Sequence, residues 1–278
     1  MNNKSNGKGY AAHQGRKELR YWRPEQKWYH SSICGSVVGL SQFLLGRLNN
    51  LTFEGRERWD ALFGHSGEAW EGIEGRGLLS FSNHVSLFDD PLLISNLSAT
   101  RYEHVRWIAA DHINFFGNNL KGLIYSGGKC VPIIRGGGLK QPGFDFLVDR
   151  LKQGDWVHIF PEGGRSRDPN HCLQLPLKVG IGKLMYEANP VVIPFYHYGM
   201  QNVLPIGKML PKINKEVVVR FGHATVLNAE WWKNLLSLDS TLEEPEDQAE
   251  KRAWDKATQW VTEQLLELEG QLHPLKKK

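Results

Sequence analysis

Short apolar runs alternate with amphipathic stretches through residues 78–227. Runs of strand length that are rich in β-branched or aromatic residues predict β-strands, and stretches with apolar residues three or four apart predict helices. The predicted strands are "GLLSFS", "VRWIAA", "CVPIIR", "WVHIF", "VVIPFYHYG" and "EVVVRFGHATVL". The predicted helices are "PLLISNL", "FDFLVDRLKQG" and "KVGIGKLMYEA". This alternation indicates an α/β fold, a single domain with a central mixed β-sheet flanked by helices.

An amphipathic helix is predicted ahead of this domain, in "SSICGSVVGLSQFLLGRL" (31–48). Its apolar residues follow one another at spacings of 4, 3, 4 and 4, namely Ile33, Val37, Leu40, Leu44 and Leu48. Such a stripe is usually buried in a core. The segment before it, "RYWRPEQKWYH", is basic and aromatic, which favours a helix lying in a membrane interface with Trp22, Trp28 and Tyr29 as anchors. Both interpretations stay open at this point.

The same pattern divides the chain into four segments. We expect a basic flexible arm at 1–30, an amphipathic interfacial helix at 31–50, the α/β domain at 51–237, and an acidic linker with a C-terminal helix at 238–278. The linker is "LDSTLEEPEDQAE" (238–250), and the closing helix is "KRAWDKATQWVTEQLLELEGQL". No run reaches 18 uninterrupted apolar residues, so a membrane-spanning helix is not expected.

Composition narrows the class of protein only slightly. With 278 residues, 41% of them hydrophobic, the chain can bury one substantial core. A net charge of +4 is mildly basic and gives no indication of a nucleic-acid partner. The three cysteines lie far apart without a CxxC pair, which argues against a disulfide framework and fits a reducing compartment.

The segment "LLSFSNHVSLFDDPLLI" (78–94) places polar residues directly behind an apolar strand. His84 and Asp89 are five positions apart, so on a regular helix they would point about 140° away from each other and could not touch. A strand ending at Ser82, followed by a turn, lets His84 fold back toward Asp89. A carboxylate that holds one ring nitrogen leaves the other free to accept a proton. In this interpretation Asp90 is the N-cap of the next helix, with Pro91 at its first position; a capped junction with incidental polar residues is the alternative.

Three more segments place polar residues just after predicted strands, where the active sites of α/β sheets collect. "CVPIIRGGG" ends in Arg135 and glycines, and "VVIPFYHYGM" opens onto His197. "WVHIFPEGGRSRD" delivers Glu162, Gly163, Gly164, Arg165, Ser166 and Arg167. Glycines let the backbone approach an anion closely, and backbone N–H groups together with arginine suit a phosphate. Taken singly, each of these segments is also compatible with an ordinary turn or a solvated arginine.

Several common chemistries lack their motifs in this chain. There is no G-x-S-x-G elbow, no G-x-G-x-x-G loop and no H-E-x-x-H pair, and "GLIYSGGKC" narrowly misses a phosphate-binding Walker loop. A metal site would have to be drawn from His84, Asp89, Asp90, Asp111 and His112. Their spacing matches no standard set of ligands, so we expect no metal.

Four motifs in order carry a resemblance to a known family. "NHVSLFD" resembles the N-H-x4-D motif of the glycerolipid acyltransferases, and "FPEGGRSR" resembles their F-P-E-G-x-R-S block. "VPIIR" and "VVIPF" match the other two blocks at suitable distances. Within this superfamily the flanking residues are most similar to the tafazzins, which are phospholipid transacylases. One departure is Gly164-Arg165-Ser166-Arg167, where tafazzins usually carry a lysine and acyl-CoA-dependent members carry an arginine and a serine.

The resemblance implies a mechanism and a set of site residues. His84 is then the general base toward a lysophospholipid hydroxyl, and Asp89 orients it, with no covalent nucleophile and no cofactor. The acyl donor is either a phospholipid or acyl-CoA. The implied substrate-binding residues, mainly around the head-group phosphate, are Arg135, Glu162, Gly163, Gly164, Arg165, Ser166 and Lys178. Glu162 would fix its loop or bind a glycerol hydroxyl.

The resemblance also implies partners and a location. The α/β domain becomes an acyltransferase domain that works on membrane lipids, without nucleic acid or metal. We expect peripheral membrane association, on the cytoplasmic face of the inner membrane in a bacterium or on a mitochondrial membrane in a eukaryote. The alternatives left open are an acyl-CoA-dependent glycerol-3-phosphate or 1-acylglycerol-3-phosphate acyltransferase, a metal-dependent hydrolase, and a lipid-binding protein without turnover.

Overall fold

The strands of the protein form a single mixed sheet. The computed structural model describes residues 17–63, 73, 75–97, 102–208, 210–237 and 245–273. The strands are β1 Asn50–Glu54, β2 Leu78–Ser82, β3 Trp107–Asp111, β4 Cys130–Ile133, β5 Trp156–Ile159, β6 Val191–Tyr198, β7 Glu216–Phe221 and β8 Thr225–Val226. Their order is β1-β7-β6-β2-β5-β3-β4, and β8 pairs with β6 beside β7. The predicted α/β fold with a central mixed sheet flanked by helices is thereby confirmed.

Helices cover both faces of the sheet. They are α1 Trp28–Gly46, α2 Arg56–Asp60, α3 Ile94–Leu97, α4 His112–Phe115, α5 Asn119–Gly127, α6 Pro142–Lys152, α7 Gly180–Ala188, α8 Met200–Val203, α9 Ala229–Leu236 and α10 Glu246–Leu272. One apolar cluster joins the sheet to α6, α7 and α10, and another joins the opposite face to α1, α2 and the segment around α3. Every residue of β2 is buried, with Leu79 and Phe81 in the first cluster and Leu78 in the second. Burial on both faces explains why this strand has no polar-apolar alternation.

Strand direction brings several loops to one edge of the sheet. β2 runs parallel to β5 and β6, and β3 runs parallel to β4 and β5. The carboxyl ends of these five strands therefore meet at a common edge, here named the carboxyl edge. β7 is antiparallel to β6, so the segment 199–215 between them also lies there. Each predicted polar segment follows one of the five strands, and all of them converge on this edge.

Helix α1 buries a face that is rotated slightly from the predicted stripe. Its buried residues are His30, Cys34, Val38, Ser41 and Leu45. Four residues of the predicted stripe are half-buried along the margin of this face, while Leu40 is exposed. Trp28 and Phe43 also point outward. One side of the helix is therefore core and another side is an exposed surface with large apolar residues. Among the described residues, no helix is both long and apolar enough to cross a bilayer.

The residues before α1 contribute to the core. Residues 1–16 of the predicted arm lie outside the described part of the chain. Leu19 and Trp22 are buried, and the Trp22 ring meets Phe146 edge-on at 5.1 Å between centroids. Trp22 is therefore a core residue here, and the prediction of an interfacial anchor at this position is wrong. Trp28, by contrast, is 83% exposed.

Asp90 does not cap a helix as predicted. The helical segment Asp89–Leu93 begins after Phe88, and Asp90 inside it has extended backbone angles of φ −118° and ψ 121°. Its carboxylate instead accepts hydrogen bonds from two guanidinium nitrogens of Arg106, one of them Nε at 2.8 Å. Both side chains are largely buried. A paired arginine satisfies a buried carboxylate far better than a helix end would, because it supplies both charge and donors.

The C-terminal helix packs on the domain and begins earlier than predicted. Residues 238–244 of the predicted linker lie outside the described residues, and α10 already begins at Glu246. The helix approaches α7 so closely that a Cβ atom on Gly182 would lie 2.0 Å from the Trp254 carbonyl oxygen. Only glycine allows this contact, which seats α10 against the first apolar cluster.

Candidate active site

His84 and Asp89 form a hydrogen-bonded pair at the carboxyl edge. His84 Nδ1 lies 2.9 Å from Asp89 Oδ2. The same oxygen accepts the backbone N–H groups of Val85 at 2.7 Å and Ser86 at 2.8 Å, so the turn is wrapped around the carboxylate. Asp89 is fully buried, whereas the His84 side chain keeps 17% of its surface exposed. The predicted contact across five positions is present, and it comes from a turn rather than from a helix.

The carboxylate of Asp89 is held in its ionised form. Burial by itself would raise its pKa, but the facing His197 and the hydrogen bonds from His84 and Ser86 outweigh burial and lower the pKa below its usual value. An ionised carboxylate can only accept, so Nδ1 of His84 carries the proton and Nε2 has the free lone pair. The ring itself stacks on Phe160 with centroids 4.2 Å apart and planes 13° apart. His84 therefore presents Nε2 in a fixed orientation.

A second histidine lies beneath this pair. His197 Nε2 is 3.7 Å from Asp89 Oδ2 and donates to the Asn83 carbonyl at 3.0 Å. Asn83 also exchanges two hydrogen bonds with the His197 backbone, each of 2.9 Å. These contacts fasten the end of β2 to β6 next to His84. Burial lowers the pKa of His197, which favours the neutral ring.

Glu162 supports His84 from the neighbouring strand end. Its Oε1 accepts the backbone N–H of His84 at 2.6 Å, and its Oε2 accepts the backbone N–H of Gln174 at 2.8 Å. Both oxygens are thus bonded within the protein, and the side chain is buried. Burial raises the pKa of Glu162, and the two hydrogen bonds lower it. Burial is the larger effect, so the pKa is raised to about 8. In this geometry Glu162 fixes its own loop and the backbone of His84.

Ser166 belongs to the same support. Its backbone N–H donates to the His84 carbonyl at 2.7 Å, and its hydroxyl donates to the Cys172 carbonyl at 2.6 Å. The residue is fully buried. Its side chain therefore holds the loop together and does not face the open side of the site.

The C-terminal helix clamps this loop from outside. Glu269 of α10 is buried, and its Oε1 accepts the backbone N–H of Leu173 at 2.6 Å and the hydroxyl of Tyr196 at 3.0 Å. His273 Nε2 donates to the Asn170 carbonyl at 2.8 Å. The loop after β5 is thereby held between the sheet and a helix about 100 residues further along the chain. Loops that carry functional groups are commonly positioned by a rigid scaffold in this way.

Arg135 lies between two of the converging loops. Its guanidinium is beside Gly164, since a Cβ atom on that glycine would be 3.9 Å from one of its nitrogens. On its other side, Nε is 3.8 Å from Asp111 Oδ1, beyond hydrogen-bond distance. The Arg135 side chain is 62% exposed. A cation in this position, open to solvent and next to a glycine turn, can contact an anion without first breaking a strong ion pair.

Gly163 and Lys178 complete the basic side of the turn. Gly163 has φ +70°, and a Cβ atom on it would lie 2.9 Å from Lys178 Cγ. The lysine side chain therefore crosses directly over the glycine, and any larger residue there would displace it. Lys178 is exposed and Arg165 is half-buried. The substrate-binding residues inferred from the sequence thus come together, except that Glu162 and Ser166 face inward as supports.

This arrangement is suited to removing a proton beside a bound anion. Nε2 of His84 can accept a proton, and Asp89 stabilises the imidazolium that results. The glycine turn with Arg135, Lys178 and Arg165 supplies positive charge on the same edge. Within the described residues, no group of three or more His, Cys, Asp or Glu side chains is placed to hold a metal ion.

Two supporting residues, Phe160 and Glu269, are not predicted from the sequence, and His197 is named there only as a polar residue near a strand end, without a role. His197 lies near the end of β6 and Phe160 directly follows β5, and both adjoin recognised blocks, so their position at strand ends is a usable signal. Glu269 gave no signal, because an acidic residue on an amphipathic helix is ordinarily solvated. Its role depends on a contact with Leu173 across 96 positions.

Comparison with known proteins identifies the family to which these motifs belong. A family model described as "Acyltransferase" matches residues 51–198. Tafazzin of Drosophila melanogaster is 33% identical over 218 residues, covering 75% of this chain and 55% of that protein. N-acylphosphatidylethanolamine synthase of Arabidopsis thaliana is 32% identical over 174 residues, covering 59% of this chain and 61% of that protein. The match thus spans little more than half the length of these relatives.

A solved structure shares the fold. The crystal structure of the 1-acyl-sn-glycerophosphate acyltransferase PlsC from Thermotoga maritima aligns with a TM-score of 0.50 at 16% identity. The alignment covers 84% of this chain and 81% of that chain. At this identity the likeness concerns the architecture alone.

Proposed function

The chain belongs to the acyltransferase family, and we propose that it transfers a fatty acyl group to a hydroxyl of a lysophospholipid. The tafazzin resemblance favours phospholipid remodelling as the overall reaction. The single observation that carries this proposal is the His84–Asp89 pair with Nε2 unbonded among the described residues, beside a glycine turn lined by cations. A base and an anion site on one sheet edge match an acceptor that carries both a hydroxyl and a phosphate.

In the proposed mechanism His84 acts as general base. Nε2 takes the proton of the acceptor hydroxyl while its oxygen attacks the acyl carbonyl of the donor. The developing imidazolium is stabilised by Asp89 through Nδ1. As the donor's carbon–oxygen or carbon–sulfur bond breaks, the imidazolium returns the proton to the leaving group, and His84 is restored. A positioned base of this kind contributes roughly 10²–10⁴-fold in rate.

The head-group phosphate binds beside this base. Arg135, Arg165 and Lys178 contribute positive charge, and Gly163–Gly164 allow close approach of the backbone. Glu162 and Ser166 act from behind, through the backbone of His84. This division separates groups that touch substrate from groups that hold the machinery in place.

Two classes of acyl donor are candidates, a phospholipid and acyl-CoA. The similarity to tafazzins covers most of the described domain and favours a phospholipid donor. Gly164-Arg165-Ser166-Arg167 is the feature shared with acyl-CoA-dependent members, and it supports a glycerol-3-phosphate or 1-acylglycerol-3-phosphate acyltransferase as the second candidate. We favour the phospholipid donor because the flanking similarity involves many more residues.

Membrane association is part of the proposal. Five large apolar residues in the segments of the carboxyl edge are substantially exposed, namely Leu87, Ile113, Ile206, Leu210 and Ile213. Lys208 and Lys212 are exposed among them. The end of α1 meets this edge, where Asn49 Oδ1 accepts the Lys215 backbone N–H at 3.0 Å. The exposed Leu40 and Phe43 lie in the last two turns of this helix. Apolar side chains with interspersed lysines suit the surface of an anionic bilayer, from which both lipid substrates would enter.

A donor comparison tests the proposal. Purified protein is given labelled lysophospholipid in vesicles, with either a diacyl phospholipid or acyl-CoA as donor, and His84→Ala serves as the inactive control. We expect labelled diacyl product from the phospholipid donor without CoA. A strict requirement for acyl-CoA would select the second candidate, and absence of product with either donor would refute acyl transfer to lysophospholipids.

A further inference from the structure

Asp111 carries a buried carboxylate oxygen without a hydrogen bond at the carboxyl edge. It is the last residue of β3, and its side chain is only 7% exposed. Oδ2 accepts from the Asn114 side-chain amide, but Oδ1 finds no donor among the described residues. The basic nitrogens within 4 Å of Oδ1 are His112 Nδ1 at 3.7 Å and Arg135 Nε at 3.8 Å, both too distant for a hydrogen bond. A buried carboxylate oxygen without a hydrogen bond is unfavourable, which makes this oxygen a candidate acceptor for a donor of a ligand.

The position of Asp111 relative to His84 follows from the sheet register. Phe81 pairs with Ile159 and Ile108 pairs with His158, so the ends of β2 and β3 stand nearly level with β5 between them. Two strand spacings separate the two sites by roughly 10 Å. Arg135 lies between them, beside Gly164 on one side and Asp111 on the other. Along the edge, the base His84 is therefore followed by the proposed phosphate-binding Arg135 and then by the carboxylate of Asp111.

A lysophospholipid has its groups in the same order, from the acceptor hydroxyl through the phosphate to the end of the head group. We propose that Asp111 binds a hydrogen-bond donor of the head group beyond the phosphate, an ammonium or a hydroxyl, and thereby selects acceptors that carry one. This inference rests on the proposed function and adds the class of head group to it. When Arg135 turns toward the phosphate, Asp111 Oδ1 becomes the acceptor nearest to the head group.

Ethanolamine and glycerol head groups each offer such a donor, whereas the trimethylated nitrogen of choline offers none. A donor bound to a carboxylate makes a charge-assisted contact, so its loss lowers kcat/KM by about ten- to a hundredfold. For the wild type we accordingly expect acceptors with ethanolamine or glycerol to exceed the choline acceptor by that factor.

The test compares three lysophospholipids that differ only in head group, in identical vesicles with one donor. Asp111→Ala should bring all three kcat/KM values to within about threefold of one another. Asp111→Asn, which keeps an acceptor oxygen without charge, should lose the ethanolamine preference and retain most of the glycerol preference. Asp255→Ala, which removes an exposed carboxylate on α10, should leave every ratio unchanged. Thermal unfolding identifies any variant that fails to fold. If one Asp111 variant fails, the head-group ratios of the other Asp111 variant test the proposal.

Failure of this inference is distinguishable from failure of the proposed function. Acyl transfer that continues with unchanged head-group ratios in both Asp111 variants would overturn the role of Asp111 alone. A wild type that uses the choline acceptor as well as the others would overturn it too. If no acceptor is acylated at all, the proposed function fails, and equilibrium binding of the same three lipids then decides. Equal affinities for wild type and Asp111→Ala would overturn the inference in that case.

Discussion

Glu162 holds the backbone of His84 from a neighbouring strand, with Oε1 accepting the His84 N–H at 2.6 Å. The contact spans 78 positions and joins two motifs that are separate in the sequence. Since the other oxygen of Glu162 binds the Gln174 N–H, one buried carboxylate sets the position of the base and of the loop beside it. In the proposed mechanism, Glu162 therefore acts by positioning His84 and not by touching the substrate.

Removing the imidazole should lower turnover strongly while leaving the fold intact. His84→Ala is expected to lower kcat by roughly 10²–10⁴-fold, because no other described group takes over the proton. Asp89→Asn should also be severely impaired, because its amide oxygen can still accept the N–H groups of Val85 and Ser86 but carries no charge to orient His84 and stabilise the imidazolium. Initial rates with a saturating acceptor measure both effects. Wild-type turnover by a folded His84→Ala protein would rule out the mechanism.

Glu162 should make stability depend on pH. Its pKa is raised by burial from 4.5 in the unfolded chain to about 8, so between these values the folded protein holds a proton that the unfolded chain has released. The free energy of unfolding should then fall as pH rises through this window, by up to about 1.4 kcal/mol per pH unit. Glu162→Gln cannot titrate and should lose this contribution.

Denaturant unfolding of the two proteins at several pH values gives the comparison. Groups that titrate alike in both proteins contribute equally to the two unfolding free energies, so their contributions cancel when wild type and Glu162→Gln are compared. The difference between the two unfolding free energies should favour the wild type most near pH 5 and become smaller toward pH 9. The total change over this range should be on the order of a few kcal/mol. A difference that stays constant with pH would show that Glu162 does not hold a proton in the folded protein.

The arginines should affect acceptor affinity more than turnover. Arg135→Ala and Arg165→Ala are each expected to raise the apparent KM for the phosphate-bearing acceptor about ten- to a hundredfold, the effect of losing a charge-assisted contact. Arg56→Ala removes a surface pairing with Asp60 and a contact over the Phe53 ring, neither of which belongs to the site, and it should leave the acceptor KM unchanged. An unchanged acceptor KM in both site variants would exclude these residues from phosphate binding.

Two exposed surfaces should contribute separately to vesicle binding. Leu40→Asp with Phe43→Asp alters the outer face of α1, and Leu210→Asp with Ile213→Asp alters the carboxyl edge. Each double change should weaken binding to anionic vesicles by at least about tenfold, because burying one such side chain is worth about 1.5–3 kcal/mol. High salt should weaken wild-type binding only in part, since salt screens charge and not apolar contact.

Vesicle flotation with a matched control measures these effects. Leu266→Asp changes an exposed apolar residue on α10 and should leave binding unchanged. Leu44 is a poor test position, because it packs against the second apolar cluster and its change would disturb the core. Full binding by both folded double variants would mean that the membrane contact lies elsewhere.

Local sequence patterns were enough to predict most strands and helices of this protein and the His84–Asp89 pair. The strands β2 to β6 are short apolar runs whose length and β-branched content predict them locally. His84 and Asp89 were predictable because only a turn lets residues five apart meet, and the turn lies between a strand and a proline. These features depend on a few consecutive residues, so the local pattern was sufficient.

The packing partners of these elements, by contrast, depend on how the whole chain folds. In the folded protein α1 is oriented so that Cys34 and Val38 are buried and Leu40 is exposed. Asp90 pairs with Arg106 instead of capping a helix. Folding also brings Glu269 to the loop after β5. Each of these outcomes is set by the burial of a polar or apolar group against residues far away in the chain. A buried charge is paired by whichever opposite charge the packing brings within reach, and that neighbour is fixed only when the sheet and its helices have assembled.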